Sequence, residues 1–232
     1  MKHSILAIMT FVFMACGASS DTGVNKSVFV GDGEHKSGGL RSVNGSVTVG
    51  NDATVDGSCS TVNGKIRIGE NATVRDVSCV NGSINVDRNS KTEEISTVNG
   101  AITIGSEVEV DGNVSTVNGP IRSKIYTQID GDLETVNGEM TVEQSMITGN
   151  ITTVNGDIDL LDGSTVKGSI YVKRNRKSNR HKDFKELVIT VDAKSKIKGN
   201  IEVKGDEPNV TVVLSGGGEV LGEVINARVI RK

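Results

Sequence analysis

Short bursts of alternating apolar and polar residues recur along most of the chain. In the segment 97–114, Ile102 and Ile104 form one burst, and Val108 and Val110 form the next. Alternation with a period of two is typical of a β-strand with one buried face. Glycine and asparagine separate the bursts, as turns require. The pattern therefore predicts units of three very short strands joined by three bends.

A recurring tripeptide, Val-Asn-Gly, keeps these units in phase at intervals of 18 or 19 residues. Its asparagines are Asn44, Asn63, Asn81, Asn99, Asn118, Asn137 and Asn155. A fixed short period indicates a repeat architecture, in which a unit that cannot bury its apolar side alone stacks on copies of itself. We therefore predict an all-β, single-domain parallel β-helix (β-solenoid) of about ten coils, each of 18–19 residues. At an inter-strand spacing of about 4.8 Å, the rod would be about 50 Å long.

Alignment of the repeats predicts four buried rows. One row contains the valines of the tripeptide: Val43, Val62, Val80, Val98, Val117, Val136 and Val154. A second contains Val47, Ile66, Ile84, Ile102, Ile121, Met140 and Ile158. A third contains Val49, Ile68, Val86, Ile104, Val142 and Leu160, with Ser123 as an interruption. The fourth contains Leu40, Cys59, Val77, Ile95, Val114, Leu133, Ile151 and Ile170.

The asparagines of the tripeptide form a polar row of their own. We expect an internal ladder that holds a turn, with each amide bonded to those in the coils above and below. Asparagine tolerates the left-handed backbone conformation, and the glycine after it permits a positive φ at the bend. The functional alternative is a ladder of polar binding groups.

The first residues have a different composition from the repeats. Lys2 and His3 precede an apolar run at 5–14, which is too short to span a bilayer permanently. This arrangement is typical of a bacterial signal peptide. The sequence Phe13-Met14-Ala15-Cys16 resembles the lipobox of bacterial lipoproteins, although phenylalanine replaces the usual leucine. That resemblance implies cleavage before Cys16 and lipidation of its thiol.

These observations divide the chain into three segments. We predict a signal peptide at 1–15, a lipidated N-terminus with a flexible tether at 16–26, and a β-helix at 27–230. The expected location is the bacterial cell envelope, on the outer membrane or a periplasmic face, with membrane contact through the lipid anchor. Secretion is the alternative if the lipobox is not used.

A basic insertion at 173–185 is the longest departure from the repeat. Its cationic residues are Lys173, Arg174, Arg176, Lys177, Arg180 and Lys182. Such a run can bind lipid phosphates or anionic glycans. The topology of a lipoprotein argues against nucleic acid as a partner. A solvated insertion that only keeps the rod soluble is the alternative.

Residues that carry chemistry are sparse. The histidines His3, His35 and His181 are scattered, so no metal site or cofactor is expected. No phosphate-binding loop or catalytic triad is apparent, and we predict that the protein is not an enzyme. Cys59 and Cys79 should pack as small residues because their offset disfavours a disulfide, although an oxidising compartment leaves that pairing open.

The repeat units at 68–74 and 197–201 resemble those of bactofilins, the polymer-forming bacterial β-helix family. The Val-Asn-Gly-x-Ile units also resemble repeats of bacterial adhesin β-helices. The bactofilin resemblance implies a right-handed helix, end-to-end polymerisation and no catalytic residues. The chain differs from bactofilins in its signal peptide, which argues against a cytoplasmic cytoskeletal role. Spacings of six residues also suit a left-handed hexapeptide helix, although the 19-residue coils disturb that pattern.

Two classes of function follow from these predictions. The first is a non-catalytic structural rod of the cell envelope that self-associates through its ends. The second is an adhesin, or a surface module that binds anionic lipid or glycan through the basic loop. Exposed aromatic residues would favour glycan binding, and aromatic residues are only 3% of the chain, which favours the first class.

Overall fold

In the computed structural model, residues 21–174, 185–205 and 209–232 form a parallel β-solenoid of about ten turns. These ranges contain no helix, and the predicted fold class is confirmed. The signal peptide, Cys16 and the basic residues Arg176, Lys177, Arg180 and Lys182 lie outside the described residues.

Each turn contributes one strand to each of three parallel sheets. Sheet A contains Asp21–Gly23, Leu40–Asn44, Cys59–Asn63, Val77–Asn81, Ile95–Asn99, Val114–Asn118, Leu133–Asn137, Ile151–Thr153, Ile170–Lys173, Ile201–Lys204 and Val224–Ile225. Sheet B contains Val28–Val30, Val47–Val49, Ile66–Ile68, Ile84–Val86, Ile102–Ile104, Ile121–Ser123, Met140–Glu143, Ile158–Leu161, Leu187–Val191, Val210–Leu214 and Arg228–Arg231. Sheet C contains His35–Lys36, Thr54–Val55, Thr73–Val74, Lys91–Thr92, Glu109–Val110, Gln128–Ile129, Met146–Ile147, Thr165–Val166, Lys196–Ile197 and Glu219–Val220.

Strand pairing places equivalent residues of successive coils directly above one another. In sheet B, for example, Ile84 pairs with Ile66 on one side and with Ile102 on the other. Backbone hydrogen bonds also join the coils at the bends, as between the Val47 amide and the Lys65 carbonyl at 2.9 Å. Three of the four predicted inward rows are buried as expected, and they form one continuous core.

The valine row of the tripeptide was wrongly assigned to the core. Val43 is 37% exposed, and the equivalent valines in the later coils are half-buried. The strand Leu40–Asn44 explains the error, because its inward residues are Leu40 and Ser42 and the alternation places Val43 outside. The apolar character of valine alone predicts an inward position, but the strand boundary decides its orientation.

A row of small polar residues occupies the inward position before each valine. Its members are Ser42, Thr61, Cys79, Thr97, Thr116, Thr135 and Thr153, and all are buried. From Thr61 to Thr135 each side chain donates to the carbonyl of the tripeptide glycine one coil earlier, at 2.8–3.4 Å. Hydroxyl groups therefore enter the core without an unmet hydrogen bond, because the neighbouring coil supplies the acceptor.

Left-handed backbone conformations occur at a different bend from the one predicted. The tripeptide asparagines lie at strand ends, whereas the bend between sheets B and C carries φ values of 42–60° at Asp52, Asn71, Asn89, Glu107, Tyr126, Gln144 and Asp162. The tripeptide glycines are needed for another reason. A Cβ at Gly64, Gly100 or Gly138 would collide with the backbone carbonyl of the glycine one coil earlier.

The solenoid begins within the segment predicted to be a tether. Asp21–Gly23 pairs with Leu40–Asn44, so the stack already includes Asp21 and is not confined to residues from 27 onward. Lys36 occupies the position taken by Val55 in the next coil. Its ammonium lies 3.0 Å from an Asp21 carboxylate oxygen, so an ion pair joins two strands of the terminal coil.

Ser123 is the single interruption in the third inward row. It pairs with Ile104 and Val142, and only 2% of it is exposed. Among the described residues, its hydroxyl oxygen is the one buried side-chain polar atom without a hydrogen-bond partner. A buried hydroxyl without a partner costs free energy, because it loses its hydrogen bonds to water.

Replacing this hydroxyl should therefore stabilise the protein. Ser123→Val should raise the free energy of unfolding by about 1 kcal/mol or more, because it removes the unpaired group and adds apolar contact. The matched control Thr97→Val also exchanges a hydroxyl for a methyl group, but it deletes the hydrogen bond to the Gly82 carbonyl. That variant should lose about 1 kcal/mol in a urea titration. Equal effects of the two substitutions would contradict this account of the core.

Candidate functional site

The tripeptide asparagines form a continuous hydrogen-bonded ladder, as predicted, but the ladder is external. Each side-chain amide donates to the side-chain carbonyl of the asparagine one coil earlier, at 2.7–3.1 Å, from Asn155 down to Asn25. All of these asparagines are exposed. The prediction of an internal ladder was wrong in location, because each asparagine from Asn44 to Asn137 is the last residue of its sheet A strand and lies exposed at the bend.

The structure also contains polar ladders that the sequence did not predict. At the bend between sheets C and A, Asp132 Oδ1 accepts the Asn150 backbone amide at 2.7 Å, and Asn150 Oδ1 accepts the Ser169 amide at 3.0 Å. Inside the solenoid, Ser145 Oγ accepts the Thr127 backbone amide at 3.1 Å. These side chains replace backbone carbonyls in the inter-coil ladder, so they hold the bends together. The available signal was the recurrence of Asp, Asn and Ser at fixed repeat positions.

Arg174 is a buried structural residue, and its assignment to an anion-binding site was wrong. Only 6% of it is exposed, and it follows the Asn ladder at the position one coil after Asn155. Its guanidinium donates to the carbonyl oxygens of Lys185 at 2.9 Å, Asn209 at 3.0 Å and Val154 at 3.4 Å. Burial lowers the Arg174 pKa, and the charge of Asp157 partly opposes that shift. The Arg174 guanidinium therefore links three backbone segments through hydrogen bonds, and it does not face solvent.

Lys173 is exposed, as an anion-binding residue must be. It pairs in register with Lys204 on the next strand of sheet A, which places two cationic side chains side by side. The Lys204 ammonium also lies 5.5 Å from the centre of the Tyr171 ring and 3.4 Å from Glu202 Oε1. The described part of the predicted basic site is therefore a two-lysine patch.

Three exposed carboxylates meet on the outer side of sheet C. The oxygens of Glu109, Asp111 and Asp130 lie within 4.8 Å of one another, a grouping that could hold a cation. The Lys91 ammonium already contacts Glu109 at 3.1 Å and Asp111 at 3.2 Å, and these contacts raise its pKa. The cluster is thus an ion-paired surface network in which one lysine pairs with two of the three carboxylates.

The remaining groups with shifted pKa values are Cys59, Cys79, Glu94 and Glu134, and burial raises the pKa of each. Burial raises the pKa of the Cys59 thiol to about 12 and also raises that of Cys79, so neither is a ready nucleophile. Both cysteines are free and buried, as expected from their offset. Burial likewise raises the pKa of Glu134, with opposing effects from Lys173 and Asp132. His35, the one histidine within the described ranges, pairs with Asp56 at 3.0 Å on the exposed first coils.

Comparison of the chain with protein-family models, with curated proteins and with solved structures gives no match. Throughout the described ranges, no helical segment combines the length and the hydropathy needed to cross a bilayer. Any functional assignment therefore rests on the faces and ends of the solenoid itself.

Proposed function

We propose that this protein is a non-catalytic structural rod of the bacterial cell envelope that associates end to end. The observation that supports this proposal is the pair of open sheet edges at the two ends. Val224–Ile225 and Arg228–Arg231 are the last strands of sheets A and B, and Asp21–Gly23 and Val28–Val30 are the first. Because all strands run parallel, the first coil of a second copy can continue both sheets.

The last coil is also only partly closed over the core. Val220, Val224 and Val229 pack against buried residues but remain half-exposed, because no further coil among the described residues covers them. Exposed sheet edges with unpaired backbone groups favour pairing with another chain. Leu221 at this end and Val24 at the other are 62% and 66% exposed. Apolar residues at both ends favour a contact that excludes water.

Electron microscopy of the purified protein tests this association. We expect filaments of the wild-type protein, and single rods about 50 Å long after the paired change Val24→Lys and Leu221→Lys, because an end contact would then bury two charges. The control Met146→Lys changes an exposed apolar residue in the middle of the rod and should leave filaments intact. Single rods of the wild-type protein at every concentration would contradict end-to-end assembly.

Attachment to the envelope is proposed through a lipid on Cys16. Replacing Cys16 with serine should remove the acceptor thiol and move the protein from the membrane fraction to the soluble fraction, because a lipid anchor supplies the membrane affinity. Fractionation followed by immunoblotting measures the distribution. Unchanged membrane association would rule out this anchor while leaving the filament test unaffected.

The lysine patch supports a second candidate function, binding of anionic lipid. Lys173 and Lys204 are neighbours on the outer face of sheet A, at the base of the basic insertion. Exposed charges of one sign attract an anionic surface over about 8 Å at physiological ionic strength. Among the described residues, this proposal of lipid binding rests on the positions of Lys173 and Lys204 and not on the whole insertion.

Co-sedimentation with phosphatidylglycerol vesicles measures this binding in the Cys16→Ser protein. The paired change Lys173→Glu and Lys204→Glu should abolish salt-sensitive sedimentation, because it reverses the local charge. In the control pair Lys196→Glu and Lys198→Glu, Lys196 lies in sheet C and Lys198 in the bend that follows, so this variant should sediment like the wild type. Equal sedimentation of all three proteins would leave the basic segment as a solvated insertion.

A further inference from the structure

The outer face of sheet A is uncharged over four successive coils. No charged residue occurs in the strands Cys59–Asn63, Val77–Asn81, Ile95–Asn99 and Val114–Asn118. Three outward rows cover this face: a serine row, the valine row and the asparagine ladder. The serines are Ser60, Ser78, Ser96 and Ser115; Ser78 and Ser96 are half-buried, whereas Ser60 and Ser115, next to the charged ends, are only 7% exposed. The result is a flat strip whose burial would require no charge to leave water.

The valine row makes this strip partly apolar and stiff. Valine is β-branched and restricted at χ1, so its ordering in a contact costs little further side-chain entropy. The adjoining asparagine amides are already bonded to one another. A partner with the same repeat would match these rows coil by coil.

Opposite charges mark the two ends of the strip. Arg41 pairs with Ser60 at one end of the outward serine row, and Glu134 pairs with Ser115 at the other. Read along the rod, the row is therefore arginine, four serines and glutamate. Five inter-strand steps separate the two charges, which is about 24 Å.

We propose that this strip binds the same strip of a second copy in an antiparallel, two-fold symmetric pair. A two-fold axis along the strand direction, midway between Ser78 and Ser96, brings Arg41 of each copy opposite Glu134 of the other. The same operation places Val80 opposite Val98. Parallel pairing would instead oppose Arg41 to Arg41, so the charge pattern selects the antiparallel arrangement.

The surroundings of Glu134 fit this role. Its side chain is half-buried, and burial raises its pKa by disfavouring the charged form. Of the cations in the described ranges, none lies within salt-bridge distance of its carboxylate. A guanidinium from a second copy would supply a bidentate partner, which no described residue of the monomer provides.

The size of the strip sets the expected strength of the contact. With the two charged strands that bound it, the strip spans six strands. Six strands at about 4.8 Å and five residues at about 3.3 Å give about 475 Å² per copy, or about 950 Å² in total. This area lies below the standard size of about 1,600 Å² for stable interfaces, so the pair should be weak and concentration-dependent. Association through the side is independent of association through the ends, and it places the two N-terminal coils at opposite ends of the pair.

Charge exchange tests the pairing by sedimentation equilibrium, carried out with the end contact blocked by Val24→Lys and Leu221→Lys. Arg41→Glu alone and Glu134→Arg alone should each weaken dimerisation about tenfold or more, because each opposes like charges at both ends of the contact. The combined variant should dimerise like the parent. An equimolar mixture of the two single variants should also dimerise, because every contact then joins opposite charges.

A matched pair of substitutions tests the contact between the valine rows of the two copies. Val98→Lys should abolish the dimer, whereas Thr103→Lys on the outer face of sheet B should not, and thermal melting verifies that both variants fold. A parent protein that remains monomeric at millimolar concentration would overturn the proposal. A dimer that is unaffected by the single charge exchanges, or is not restored in their mixture, would overturn it as well. Neither result would bear on filaments formed through the ends.

Discussion

The structure depends on the direct stacking of equivalent residues in neighbouring coils. Each short strand is too small to be stable alone, and it gains its hydrogen bonds and its apolar contacts only from the coils on either side. The tightest point of this stack is the tripeptide bend. There, glycine follows glycine along the rod, and a side chain on any of them would strike the carbonyl one coil earlier. In the coils that carry the tripeptide, the period of the sequence is therefore a steric requirement.

The inward rows of sheets A and B could be read from the sequence because alternation within a short strand is a local property. Ile66, Ile84 and Ile102 recur at the same place in three coils, and two-residue periodicity points them all inward. The valine row could not be read in the same way. Its orientation depends on where the sheet A strand begins, and the inward threonine is stable only because a carbonyl in another coil accepts its hydroxyl. That acceptor is distant in the sequence, so residue-by-residue hydrophobicity assigned the valine and the threonine to the wrong sides.

The candidate sites were harder to predict for the same reason. Arg174 belongs to a run of basic residues, and its composition resembles that of its neighbours. Its burial follows from the meeting of three carbonyl oxygens, two of them on residues that return to the stack after an interruption in the repeat. The asparagine ladder was predictable as a ladder because identical residues recur in phase. Its exposure was not, because exposure depends on the same strand boundary that misplaced the valines.

In a periodic rod, the residues that break the period can specify how two copies align, which identical repeats cannot do. A uniform strip of serine, valine and asparagine would pair with a copy of itself almost equally well after a shift of one coil, as featureless strands slip in register. Such a strip can supply contact area, but it cannot specify alignment. Arg41 and Glu134 end the uniform stretch with opposite charges, and only one antiparallel alignment satisfies both pairs at once. Specificity on this surface therefore arises from two exceptions to the repeat, and contact area arises from the repeat itself.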